Sequence, residues 1–235
     1  VTTRVDIWTC DITDAPALEP QFIPLLSPDE LARADRFALP SLRASFISTR
    51  GLTRRILANY LSCSAHEITF QYGEFGKPYL AAPHFNVAHS GSMLCVAVSS
   101  ASELGVDIEK IKPMRDALSI ASRFFSPTES ARLHALPPSQ QAEAFFQCWT
   151  RKEAFVKATG QGLRRGLQNF SVAFGPGVEP KIDEIENPHD DPKAWSLLAF
   201  EPANGYLGAV ALRAQSVRLR LLSFEGSRLN ALPIL

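Results

Sequence analysis

The chain has 235 residues, 46% of them hydrophobic and 20% charged, and its formal net charge is zero. That is enough apolar chain to bury a core as one large domain or two compact halves. The charge balance argues against a general nucleic-acid binder, which needs a basic excess to neutralise phosphates. The longest apolar run, residues 93–98, is far short of the roughly 20 residues that span a bilayer.

In chain order, residues 4–9 (RVDIWT) alternate and predict a first strand. Residues 13–29, rich in Pro, Asp and Ser, read as a loop. Ser27-Pro28-Asp29-Glu30 then has the marks of a helix start: Ser at the cap, Pro at the first position, Glu three residues on. A helix to about residue 37 should follow, and residues 41–61 predict a second one dotted with arginines. Strand pieces come next at 68–72, 83–90, 93–99 and 103–111, with a GEFGKP turn after the first of them. Ser126-Pro127-Thr128-Glu129 repeats the helix-start pattern, and helices are expected over 127–135 and 140–159, the second ended by Gly160 and Gly162. Strand pieces recur at 169–174, 195–201, 206–212 and 218–224.

The order of elements before residue 100 returns after 125. We read this as an α+β chain of two similar halves, residues 1–102 and 103–235, related by a pseudo-two-fold with a ligand cleft between them. One α+β domain whose elements happen to alternate alike is the alternative. The four cysteines (Cys10, Cys63, Cys95, Cys148) form no C-x-x-C pair, which points to a reducing compartment rather than a disulfide or zinc framework. No charged stretch and apolar run open the chain, so no secretory leader is read and a cytoplasmic, membrane-free protein is expected.

Two motifs bear chemistry. In GVDIE (105–109), strand periodicity puts Asp107 and Glu109 on one face and Val106 and Ile108 on the other. Adjacent carboxylates repel unless a cation lies between them, and Mg²⁺ prefers carboxylate, phosphate and water oxygens. A solvated strand end neutralised by Lys110 is the plain alternative. Around Trp149, a helix places Phe145, Phe146 and Val156 within about 60° of the indole, with Lys152, Glu153 and Lys157 on that same side. Charges there must be paired, bind a ligand or line a cleft. A Glu153–Lys157 pair one turn apart is one outcome; a metal–polyphosphate site, with acid on metal and lysines on phosphate, is the other. His89 suits a core-edge histidine as well as a ligand contact, and Lys77 sits in an ordinary turn. Arg33, Arg36, Arg43 and Arg50 read individually as solvated, though arginine suits terminal phosphates. There is no P-loop, no G-x-G-x-x-G after a strand, no H-E-x-x-H and no G-x-S-x-G.

Taken in order, GKP (76–78), FNVAHS (85–90), GVDIEKI (105–111), FFSPTE (124–129) and WTRKEAFVKATGQGL (149–163) resemble the Sfp-type 4'-phosphopantetheinyl transferases. The resemblance implies an enzyme that takes coenzyme A and a serine of an apo acyl or peptidyl carrier protein, and releases adenosine 3',5'-bisphosphate. It implies Mg²⁺, with Mn²⁺ as the alternative, on Asp107, Glu109 and Glu153. Lys157 and Lys152 would hold the pyrophosphate, and Glu153, or a metal-bound water beside it, would accept the serine proton. His89 would touch a phosphate, Lys77 the adenine end, and some of Arg33, Arg36, Arg43 and Arg50 the 3'-phosphate. Residues 110–125 would help dock the carrier, with Met114, Leu118, Phe124 and Phe125 as candidates. A monomer serving polyketide and peptide carriers is expected. The family usually has Ser or Thr where this chain has Ala88, which removes one possible hydroxyl contact to a phosphate. A coenzyme A or nucleotide binder without turnover, and an interaction module with mere surface ion pairs, are the competing possibilities.

Overall fold

The computed structural model describes residues 2–74, 76–160, 166–225 and 228–231. Gly162 and the end of the long motif at residue 163 lie outside them, as does Phe75 in the turn. The opening alternation forms β1 (Thr3–Asp11). Then come α1 (Ala15–Phe22), α2 (Pro28–Ala34), α3 (Pro40–Leu61), a small hairpin of β2 (Gln71–Tyr72) and β3 (Pro78–Tyr79), then β4 (His84–Ser90) and β5 (Met93–Ser99). The chain continues through β6 (Leu104–Lys110), α4 (Ala117–Phe124), α5 (Pro127–Ala135) and α6 (Pro138–Thr159). Strands β7 (Phe170–Val172), β8 (Ile182–Ile185), β9 (Ser196–Phe200), β10 (Tyr206–Leu212), β11 (Val217–Glu225) and β12 (Arg228–Ala231) complete it. This is an α+β fold.

Strands β1, β5 and β4 lie side by side in that order, and so do β6, β10 and β9. Alternation along β1 sends Trp8 and Cys10 toward α3, where they meet Ile47, Leu52 and Ile56. It sends Val5 and Ile7 the other way, onto Val106, Ile108, Val210 and Leu212 of the second sheet. Helix α6 covers the far face of that second sheet, against Ala209 and Ala211. The result is helix, sheet, sheet, helix.

The repeat extends to the polar core. Ser27 and Ser126 both cap with a reciprocal glutamate, Glu30 and Glu129. Each glutamate is buried and paired with a base from the following 22-residue helix, Glu30 with Arg54 and Glu129 with Lys152. Arg54 and Lys152 occupy the same place, fourteen residues after Pro40 and Pro138. Both long helices end on a left-handed residue, Ser62 and Gly160.

Three expectations are corrected, and one helix, α4, was not anticipated. Residues 13–29 are not all loop: α1 forms despite Pro20, because Phe22 is buried flat against Gly51 of α3, where an added Cβ would lie 2.4 Å from the ring. Packing overrides weak propensity there. Residues 117–124 form α4, which its polar neighbours masked. Of the 68–72 strand only Gln71–Tyr72 pairs, since Ile68 and Phe70 drop into the first core. Finally, 103–235 is not one structural half: β11 runs parallel to β1, Thr3 opposite Val217, and β12 pairs with β11, so the last strands extend the first sheet.

Candidate functional site

Strand β6 delivers Asp107 and Glu109 to the face covered by α6, while Val106 and Ile108 are buried between the sheets. Lys157, near the end of α6, crosses to this strand. Its Nζ donates to Asp107 Oδ1 at 2.7 Å and to the Val106 carbonyl at 3.2 Å. Glu153, one turn earlier, is half-buried and close enough to Asp107 and Glu109 to raise the proton affinity of the cluster. Asp107 is almost wholly buried, and its Oδ2 has no hydrogen-bond partner. Its carboxyl is pushed up to about 7, chiefly by burial; Lys157 works against that rise, and Glu109 and Glu153 add to it. Desolvation thus outweighs the short ion pair. Burial raises Glu153 as well, offset by Lys157 and reinforced by Glu109.

Among the described residues no three His, Cys, Asp or Glu converge as a preformed metal cage. Mg²⁺ does not require one. It is usually held by one or two carboxylates, waters and substrate phosphates. A buried carboxylate oxygen with no partner, Asp107 Oδ2, flanked by Glu109 and Glu153, fits such a cation.

Lys152 is set aside as a phosphate ligand. It is fully buried, and its Nζ donates to both Glu129 oxygens, at 2.9 and 2.6 Å, and to the Phe170 carbonyl at 2.7 Å. An ammonium has three protons, so none is left for pyrophosphate. Glu129 is equally committed, accepting N–H bonds from Ser126 and Val172 at 2.8 Å. Lys152→Met should therefore destabilise the chain by about 3–5 kcal/mol, the cost of stranding a buried charge. Urea unfolding checks this. A folded, fully stable variant with weakened coenzyme A binding would return Lys152 to the cleft.

Lys77 is half-buried and reaches both β6 and α6. Its Nζ donates to the Leu104 carbonyl at 3.1 Å and to the Lys157 carbonyl at 2.8 Å, tying the β2–β3 hairpin to the end of α6. It also lines a cavity of about 410 Å³ with Tyr79, His84, Glu103 and Gly160. His89 is exposed near the end of β4.

The four arginines separate. Arg33 and Arg36 line a cavity of about 500 Å³ with Asp29 and Phe37. Arg43 is held by Glu19 and Asp35. Arg50 is buried against the rings of Phe46 and Phe70, with Nε 3.8 Å from Glu30. Ala88 is buried in the cluster between the sheets, so a hydroxyl at 88 would face core and not a ligand. Phe125 is buried and stacked on Phe145, whereas Phe124 is 40% exposed under Arg123.

Residues 103–211 match the model of the 4'-phosphopantetheinyl transferase superfamily. The chain is 35% identical over 215 residues to the 4'-phosphopantetheinyl transferase HetI of Nostoc sp., covering 89% of this chain and 87% of that protein. It is 35% identical to 4'-phosphopantetheinyl transferase Sfp of Bacillus subtilis, over 81% and 83% of the two chains. It is 33% identical to psf-1 of Bacillus pumilus, over 89% and 90%. The chain belongs to this superfamily and is a phosphopantetheinyl transferase. No helix among the described residues is long and apolar enough to cross a membrane.

Proposed function

We propose that the chain transfers the 4'-phosphopantetheine arm of coenzyme A to a serine of an apo acyl or peptidyl carrier protein and releases adenosine 3',5'-bisphosphate. The serine hydroxyl attacks the β-phosphorus, its oxygen–phosphorus bond forms, and the bond to the departing bisphosphate breaks. Such phosphoryl transfer depends on positioning and charge neutralisation. The observation that carries the proposal is the unpartnered buried oxygen of Asp107 beside Lys157, Glu109 and Glu153.

Asp107, Glu109 and Glu153 would hold Mg²⁺, with Mn²⁺ as the alternative. When bound, the ion neutralises pyrophosphate charge. Glu153, with its proton affinity raised by burial, is suited to take the serine proton. Lys157 balances phosphate charge. Arg33 and Arg36, which line their own cavity, are better placed than Arg43 or Arg50 for the 3'-phosphate, and His89 is exposed for a phosphate contact. Lys77 would shape the adenine end from its cavity. The exposed Phe124, with half-buried Met114 and Leu118, offers an apolar face to the carrier; Phe125 belongs to the core. The pseudo-two-fold, with a ligand cleft between the halves, is part of the proposal and rests on the repeated strand order. A monomer acting in the cytoplasm on polyketide and nonribosomal peptide carriers rests on the family resemblance.

Intact-mass spectrometry of apo carriers incubated with the chain, coenzyme A and Mg²⁺ tests this. A gain of one phosphopantetheine, abolished by EDTA, is expected. No gain on fatty-acid, polyketide or peptide carriers, despite Mg²⁺-dependent coenzyme A binding, would leave a binder without turnover.

A further inference from the structure

The hydroxyl of Ser90 donates to Glu109 Oε2 at 2.6 Å and accepts the Lys110 backbone N–H at 3.1 Å. A hydroxyl carries one proton. The Lys110 N–H can only donate and an ionised carboxylate can only accept, so that proton is committed to Glu109. The bond is short, as expected for a charge-assisted O–H···O⁻ contact. It also joins the two sheets, since Ser90 ends β4 and Glu109 lies on β6.

Four residues earlier on β4, Asn86 Oδ1 accepts the Val106 N–H at 2.9 Å. The two strands are thus clipped by side chains at 86/106 and 90/110. The Asn86 clip touches backbone alone, whereas the Ser90 clip also grips a functional carboxylate. The turn that follows holds Ser90 in place. Gly91 has φ +56°, and a Cβ there would lie 2.9 Å from Tyr206 Oη and 3.5 Å from Lys110 Cδ.

We propose that Ser90 is a positioning residue for the metal carboxylates. It fixes one oxygen of Glu109 by hydrogen bond and leaves the other for the divalent ion. The inference rests on the metal reading above. Partners of this kind orient a ligating carboxylate, and removing one typically weakens metal binding 10–100-fold.

The test is Mn²⁺ binding to the full chain, followed by loss of the free-ion electron-spin signal, with and without coenzyme A. Ser90→Ala should weaken Mn²⁺ binding about tenfold or more, with the metal-free circular dichroism spectrum unchanged. Ser90→Thr, which keeps a hydroxyl, should restore most of the loss. Asn86→Ala, which cuts only the backbone clip, should affect Mn²⁺ far less than Ser90→Ala. Equal losses in Ser90→Ala and Asn86→Ala would reduce Ser90 to a strand clip and overturn the proposal, as would a Ser90→Ala affinity within twofold of the parent. If Glu109→Gln also leaves Mn²⁺ binding intact, the metal reading itself is what fails.

Discussion

Asp107→Asn should keep the chain folded yet reduce transfer by roughly 10²–10³-fold, the scale of losing a charged group that stabilises the transition state. The carboxylate is buried with one oxygen on Lys157 and the other unpartnered, so the amide fits sterically and only the charge goes. The pH dependence gives a second signature. Burial holds the Asp107 carboxyl near 7 in the folded chain, against an ordinary value of 3.8. A metal ion takes the deprotonated form, so binding releases a proton. Affinity should therefore rise with pH, by up to about tenfold per pH unit below 7 for this one group. The metal-free chain behaves in the opposite sense. A raised folded value means that the contribution of Asp107 to stability is fully present below about 3.8 and lost as pH rises through about 7. Thermal melts at about pH 6 and 8, with and without Mg²⁺, read both effects. The Mg²⁺-induced rise in midpoint should be larger at the higher pH and vanish in Asp107→Asn. Equal Mg²⁺ stabilisation at both pH values, or survival of that stabilisation in the variant, would remove Asp107 from the metal site.

The strand face that carries Asp107 and Glu109 was legible from periodicity, because a period of two leaves no other way to bury Val106 and Ile108. The duplicated Ser-Pro-x-Glu helix starts were legible too, since capping is local chemistry. What those glutamates do afterwards was not. A capping glutamate ordinarily faces water, but Glu30 and Glu129 are drawn under the long helices by Arg54 and Lys152. That partnership spans more than twenty residues and depends on how the helices dock. The same distance effect hid the role of Lys152. The helical wheel placed it beside Glu153, and the wheel cannot say which of two adjacent buried surfaces a lysine enters. The placement of β11 was equally out of reach, because a parallel strand that returns from the far end of the chain to β1 carries no local mark. Ser90 did have a signal, a hydroxyl next to a histidine opposite a D-x-E strand, but only the β4–β6 alignment gives it meaning.

Gly105→Ala should be among the most damaging single-methyl changes in the chain. A Cβ at 105 would lie 2.1 Å from the Ala154 carbonyl oxygen, 2.3 Å from the Ala158 nitrogen and 2.7 Å from the Lys157 carbonyl carbon. All three are backbone atoms of α6, so no side chain can rotate away and the helix itself must move. Overpacking of this kind costs about 1–3 kcal/mol. The functional loss should be larger than that figure suggests. Helix α6 carries Glu153 and Lys157, and β6 carries Asp107 and Glu109, so lifting one from the other opens the site along its middle. A displacement on the order of 1 Å is enough for about a hundredfold loss of rate. Gly208→Ala is the matched control. Its Cβ would lie 2.6 Å from the Phe200 ring, on β10 facing the core between the sheets, where a side chain can give. Both variants should lose stability in urea, but transfer per folded molecule should fall steeply only in Gly105→Ala. Equal rates in the two variants would mean that the first glycine of GVDIE serves packing alone, and that the site tolerates a gap between helix and strand.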